Sequence, residues 1–205
     1  MKDHFDYTLE EVIVEMDLRG YKVFEGPGIY DLNIVGIRTE DDTANTFNDW
    51  LVVFYLLEPE GNWVHFAFPA TTDPGLYWRE NPMNVKGTAI LVPGQYRGAY
   101  QLGKHRNSYE ALQQKAPMKV YRDNNKDEVL DMDVPAEVGF FGINIHRASQ
   151  TQASGSVNKW SAGCQVIQDP LHFNFFMELC RAATAKFGNS LSYTLLEEKG
   201  WGVIS

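Results

Sequence analysis

A chain of 205 residues has the length of a single domain. Its apolar content of 44% and aromatic content of 13% suffice for a packed core and exclude an intrinsically disordered chain. A formal net charge of −9 excludes a nucleic-acid binder that tracks phosphates, and gives no long-range attraction to anionic membranes or acidic wall polymers.

The opening residues Met-Lys-Asp-His-Phe-Asp-Tyr hold acidic groups and no apolar core, so no secretory signal is expected and synthesis in the cytoplasm is. No run has the length of a membrane helix, so no integral membrane segment is expected. Thr8, with Glu11 three positions on, predicts a capped amphipathic helix carrying Val12, Met16 and Leu18 and stopping near Gly20. Residues 33–38, 50–57 and 62–69 are β-branched and aromatic and predict strands, the last two joined by a turn at Glu58-Pro-Glu-Gly61. Residues 1–84 thus read as a helix with an antiparallel β layer of unplaced role, and residues 85–205 as the remainder of the same single domain.

Further strands are expected at 87–93, 118–122 and 138–146. Asp123-Asn-Asn-Lys-Asp127 alternates oxygen-bearing side chains like a calcium loop, but no glycine stands sixth and no glutamate twelfth, so it reads as a turn. Asp169-Pro170 opens a helix with Phe173, Phe176, Met177, Cys180 and Phe187 at helical spacing, ending at Gly188. A strand at 191–196 follows. The expected fold class is mainly β, a β-rich α+β arrangement with one or two covering helices. Two cysteines make no disulfide framework, and Cys180 belongs on the buried helix face.

The chemistry-bearing residues lie at His146 and, after fourteen intervening residues, at Ser161-Ala-Gly-Cys164. A cysteine with a histidine is the minimal set for thiolate nucleophilic catalysis: the imidazole takes the thiol proton and returns it to the leaving group. Alternation along 139–146 predicts Gly142, Asn144 and His146 on one polar, ligand-accessible face and Phe141, Ile143 and Ile145 on the core face. Gly163 has no side chain, so a carbonyl substrate can approach, with the Gly163 and Cys164 amides facing a developing oxyanion.

This pattern resembles the signature of the L,D-transpeptidase (YkuD-like) catalytic domain family: a histidine, about fourteen to seventeen residues, then Ser/Thr-His-Gly-Cys. The resemblance covers roughly residues 85–168 and is sharpest over 139–166. Ala162 stands where the family has a second histidine, and Val166 where a basic residue often follows the cysteine. The resemblance implies a β-rich sandwich or barrel, a catalytic core within residues 85–205, Cys164 as acyl-forming nucleophile with His146 as its base, and a peptidoglycan stem peptide as substrate.

Ser161 is expected to steady the turn. Arg147 either holds a substrate carboxylate or forms a surface ion pair. Trp160 either walls the site or anchors its loop. The polar segment 94–105 offers Tyr96 to a cleft, and His105 either as a second histidine replacing the one absent at Ala162 or as a solvated loop residue. Without His-Glu-x-x-His, Cys-x-x-Cys, a Walker loop or a Rossmann fingerprint, no metal and no cofactor are expected. Hydrolysis is expected over cross-linking, as in a phage-type wall lysin that acts after release or as part of a virion. The alternatives are a cross-linking transpeptidase and an inactive binding protein on the same scaffold. A papain-like peptidase would place cysteine before histidine, the reverse of the order here.

Overall fold

A computed structural model describes residues 4–26, 28–58 and 61–201. The fold is mainly β, with 34% strand and 17% helix. Strands β1 (Asn33–Arg38), β2 (Asp49–Leu56) and β3 (Trp63–Thr71) form an antiparallel meander after helix α1 (Leu9–Leu18). Thr8 and Glu11 form the reciprocal cap expected at the start of α1. Of the turn at 58–61, Pro59 and Glu60 lie outside the described residues, as does Met1-Lys-Asp3 of the opening segment.

Every residue of β1 and β2 is buried. Two covers produce this. Ile34, Leu51 and Val53 face the main core, while Val35, Ile37, Val52 and Phe54 pack on Val12 and Met16 of α1. A sheet covered on both faces shows a continuous apolar run rather than alternation.

Helix α2 (Leu76–Glu80) and β4 (Thr88–Leu91) precede a long hairpin of β5 (Gly94–His105) and β6 (Tyr109–Gln114). Strands β7 (Met118–Asp123), β8 (Glu137–Gly139), β9 (Ile145–Arg147) and β10 (Gln165–Ile167) lead to α3 (Pro170–Phe187) and β11 (Leu191–Glu197). The barrel closes in the order β1-β11-β5-β6-β9-β10-β3-β2, and β4-β7-β8 form a separate small sheet. Strands from the first 84 residues and from the remainder therefore close one barrel. No helix among the described residues is long and apolar enough to cross a membrane.

Helix α3 begins at the Asp169 cap, whose carboxylate accepts from the Leu171 N–H at 2.7 Å. Phe173, Phe176, Met177, Cys180 and Ala183 join the barrel residues Leu112, Ile145 and Leu195 in the main core. Phe187 departs from its expected place: it is 41% exposed, under the ammonium of Lys186. It ends the helix beyond the core's reach.

Two further expectations are corrected. Segment 94–105, one reading of which puts His105 in a solvated loop, is a strand throughout, its pattern obscured by Gly94, Gly98 and Gly103. Segment 138–146 is not one strand, because Gly142 has φ of 72° and the side chain of Gln114 replaces a neighbouring strand. The Gln114 Oε1 accepts from the Phe141 and Ile143 amides, both at 3.0 Å, and its Nε2 donates to the Gly139 and Ala116 carbonyls. With the pleat lost, Ile143, Asn144, Ile145 and His146 are buried in succession, so the two-face reading does not hold.

Candidate active site

The His146-to-Cys164 spacing has a structural cause. Strands β9 and β10 pair in parallel, with Ile145 beside Gln165 and His146 beside Val166. A parallel pair cannot be joined by a tight turn and needs a long crossover. Residues 148–164 form that crossover, ending with Cys164 at the mouth of β10. Val166 is fully buried among Phe47, Ala148 and Val157, so a basic side chain there would enter an apolar cluster.

The turn itself is held by Ser161, whose fully buried hydroxyl donates to the Cys164 carbonyl at 2.8 Å and accepts from the Gly163 N–H at 3.1 Å. Ser161 thus steadies the turn as expected. The role expected of Gly163 changes. Its φ is 115°, and a Cβ on it would lie 2.4 Å from the Ala89 carbonyl of β4. Protein backbone, not substrate, fills the space left by the missing side chain. Since the Gly163 amide is committed to Ser161, the Cys164 amide, which makes no hydrogen bond among the described residues, is the one left for an oxyanion.

Three strands deliver the reactive groups. His105 ends β5, His146 lies in β9 and Cys164 precedes β10. Their ligating atoms all lie within 4.8 Å of one another. The imidazoles of His105 and His146 stack with centroids 3.9 Å apart and planes 25° apart. His105 is therefore neither solvated nor remote. It is 8% exposed and touches the general-base candidate, while His146 is 2% exposed, opposite to the accessible face expected. Cys164 is half-buried, its thiol directed to the Gly142 carbonyl at 3.4 Å.

Hydrogen-bond partners assign the two tautomers. The His146 Nδ1 lies 2.8 Å from the Arg147 carbonyl, which only accepts, so Nδ1 carries the proton. The Tyr109 hydroxyl, 3.1 Å from the same nitrogen, donates to that carbonyl as well. The His146 Nε2 is left as a bare lone pair, buried and without a partner. For His105 the order reverses. Asn144 turns its Oδ1 to the Gln114 N–H at 3.0 Å, so its Nδ2 donates to the His105 Nδ1 at 3.2 Å. The proton of His105 is then on Nε2. One ring presents an acceptor and its neighbour a donor.

Burial governs the ionisation of all three. It pushes His146 down to about 3, helped by the neighbouring His105 and by Arg106 and Arg147. It pushes His105 down to about 4, with Arg106 and Arg147 acting in the same direction. The Cys164 thiol is pushed up to about 11 by burial, partly offset by the Asn144 amide and Arg106. The resting site is a neutral thiol beside neutral imidazoles, not a thiolate–imidazolium pair.

Two histidines and a cysteine are also a donor set for zinc or copper, a grouping without a linear motif because each ligand comes from a different strand. Rings sharing a tetrahedral ion splay away from it. Here they lie face to face, with planes 25° apart, rather than splayed.

Asn144 is internal, orienting His105 rather than facing substrate. The Tyr96 hydroxyl donates to the Val92 carbonyl at 2.5 Å and is not part of the cluster. Arg147 makes no ion pair among the described residues, and its guanidinium lies 3.9 Å over the Tyr109 ring. The Trp160 indole anchors its loop through the Ser154 hydroxyl at 3.0 Å and is 41% exposed beside a cleft. Ala162 lines a different cleft of about 270 Å³ with Met83, Arg122, Phe140 and Phe141. Tyr109, Gln114 and Arg106 escaped the sequence reading. A tyrosine, a glutamine and an arginine in or beside a polar hairpin give no linear signal, since only strand pairing brings them to His146.

No family model, curated protein or solved structure matches this chain.

Proposed function

We propose that the protein is a cysteine-dependent acyl-transfer enzyme acting on peptidoglycan stem peptides through a thioester, and that water is its principal acceptor. The observation that supports this best is the bare, buried Nε2 of His146, on a ring whose ligating nitrogen clusters within 4.8 Å of the ligating atoms of His105 and Cys164. A buried nitrogen without a partner costs stability and is retained where its lone pair has a use. The choice of substrate rests on the resemblance to L,D-transpeptidases.

In this reading His146 removes the Cys164 proton as sulfur attacks the amide carbonyl, because burial disfavours a preformed thiolate. The S–C bond forms, and the oxyanion faces the Cys164 amide and the Nε2–H of His105. The C–N bond then breaks, with His146 returning its proton to the amine. Water attacks the thioester, losing a proton to His146, and the sulfur regains one as the S–C bond breaks.

Hydrolysis is favoured because the crossover loop is tied down rather than free to close over the site. The Val157 amide is held by the Asn45 carbonyl and the Gln168 side chain by Ser154. Clefts lined by Ala162 and by Trp160 flank the turn at 161–164, and no closing segment is needed for water to serve as acceptor. A tetrapeptide muropeptide with excess amine acceptor is expected to yield mainly the shortened peptide and free D-alanine by mass spectrometry. Dimeric muropeptides as the main product would establish the transpeptidase instead, and unchanged substrate would remove the enzyme reading.

The neutral resting pair also has a pH signature. kcat/KM reports free-enzyme ionisations, here near 3 for His146 and 11 for Cys164. Activity is therefore lost on acidification only as His146 becomes protonated, and a plateau is expected from about pH 5 to about pH 9. A bell centred near neutrality, measured at constant ionic strength, would show a preformed ion pair.

A further inference from the structure

Beside the reactive cluster lies a cleft of about 620 Å³ lined by Tyr77, Arg106, Asn158, Lys159 and Trp160. Its volume is within the range of small-ligand sites. Three features set it apart. It is lined by two cations and no carboxylate, in a chain whose 27 acidic residues outnumber 18 basic ones. Neither Arg106 nor Lys159 has an ion-pair partner among the described residues; the Lys159 ammonium instead lies 4.1 Å over the Tyr77 ring. Tyr77 and Trp160 are both more than a third exposed, so each offers apolar surface without being loose.

The walls are built in. The Trp78 indole donates to the Lys159 carbonyl at 3.1 Å, and the Gly75 amide donates to the Ser161 carbonyl at 2.9 Å. These bonds tie α2, which carries Tyr77, to the loop carrying Lys159 and Trp160. A Cβ on Gly75 would fall 2.1 Å from the Asn158 carbonyl, so the two segments meet as closely as glycine permits. Arg106 joins the cleft to the chemistry. It follows His105 directly, in a turn where Arg106 and Asn107 have φ of 48° and 56°. Its charge is felt at Cys164, His105 and His146.

We propose that this cleft binds a carboxylate-bearing part of the acyl substrate, with Arg106 and Lys159 on the anion and Tyr77 and Trp160 on its apolar stem. The proposal rests on the acyl-transfer reading of Cys164 and deepens it by naming the part of the substrate that is held beside the site. Planar guanidinium donors suit a carboxylate, and an unpaired cation beside an aromatic wall suits an anion on a short apolar chain.

The test compares alkylation of Cys164 by iodoacetate and by iodoacetamide, read by peptide mass, in the full chain. The two reagents differ in charge and share the same chemistry. Arg106→Gln is expected to lower the iodoacetate-to-iodoacetamide rate ratio by about fivefold at low salt, the worth of one partly exposed charge contact. Arg97→Gln, the same charge change beside Phe24, is expected to leave it alone. High salt should erase the difference. An unchanged ratio in Arg106→Gln, or an equal fall in Arg97→Gln, overturns the proposal. If Cys164 reacts with neither reagent, the acyl-transfer reading falls, and the cleft is judged by a second measurement. Titration of 3-phenylpropionate, against its amide, is followed at the Trp160 indole N–H resonance, identified with Trp160→Phe. A shift by the carboxylate alone that Arg106→Gln abolishes supports the anion site. Equal shifts from both compounds, or from neither, refute it.

Discussion

Cys164→Ala is expected to lower turnover about a thousandfold or more, the loss seen when a nucleophile acting as one unit with its base is removed. The protein should stay folded. Cys164 is half-buried at the end of a crossover whose turn is held by the Ser161 hydroxyl and the Gly163 amide, neither of which involves the sulfur. Cys180→Ala should do the reverse. Its sulfur is fully buried in the core under α3, where losing a small hydrophobe costs about 0.5–2 kcal/mol. Denaturant melts and muropeptide turnover on both variants check this. An exchange of the two phenotypes would move the site to α3.

His146→Asn is expected to cut turnover about a hundredfold or more, the usual worth of a general base. Asparagine is chosen because its amide nitrogen occupies the place of Nδ1 and can keep the bond to the Arg147 carbonyl. The lost element is then the lone pair on Nε2. Stability should change by no more than about 1 kcal/mol, since the bond retained outweighs the ring surface removed. Full activity in His146→Asn would shift the base to His105, the ring stacked against it. A collapse of stability with modest kinetic loss would instead make His146 a core residue.

Much of the scaffold was legible in the sequence because it follows from local pattern. The Thr8 and Asp169 caps mark helix starts through short side chains that bond amides two or three residues on. Strands 33–38 and 118–122 announce themselves by composition, as does the burial of Cys180. The site was legible as a spacing: His146, fourteen residues, then Ser161 and Cys164, which is the length of a parallel crossover.

The electrostatic state of that site was not legible. Which face His146 presents depends on Gln114, a side chain 32 positions away by residue number that takes the place of a strand and ends the pleat over 140–144. The tautomer of each imidazole is set by Asn144, Tyr109 and the Arg147 carbonyl, and the juxtaposition of His105 with His146 by the pairing of β5 with β6 and of β6 with β9. Hydrogen bonds between segments far apart in the chain leave no periodicity for a sequence to display. Residue order determined a β-rich chain with a cysteine and a histidine at crossover distance. Only the tertiary structure decided that both are neutral, that a second histidine faces the first, and that a cationic cleft opens beside them, because burial and cross-strand contact, not local propensity, set charge and proton position.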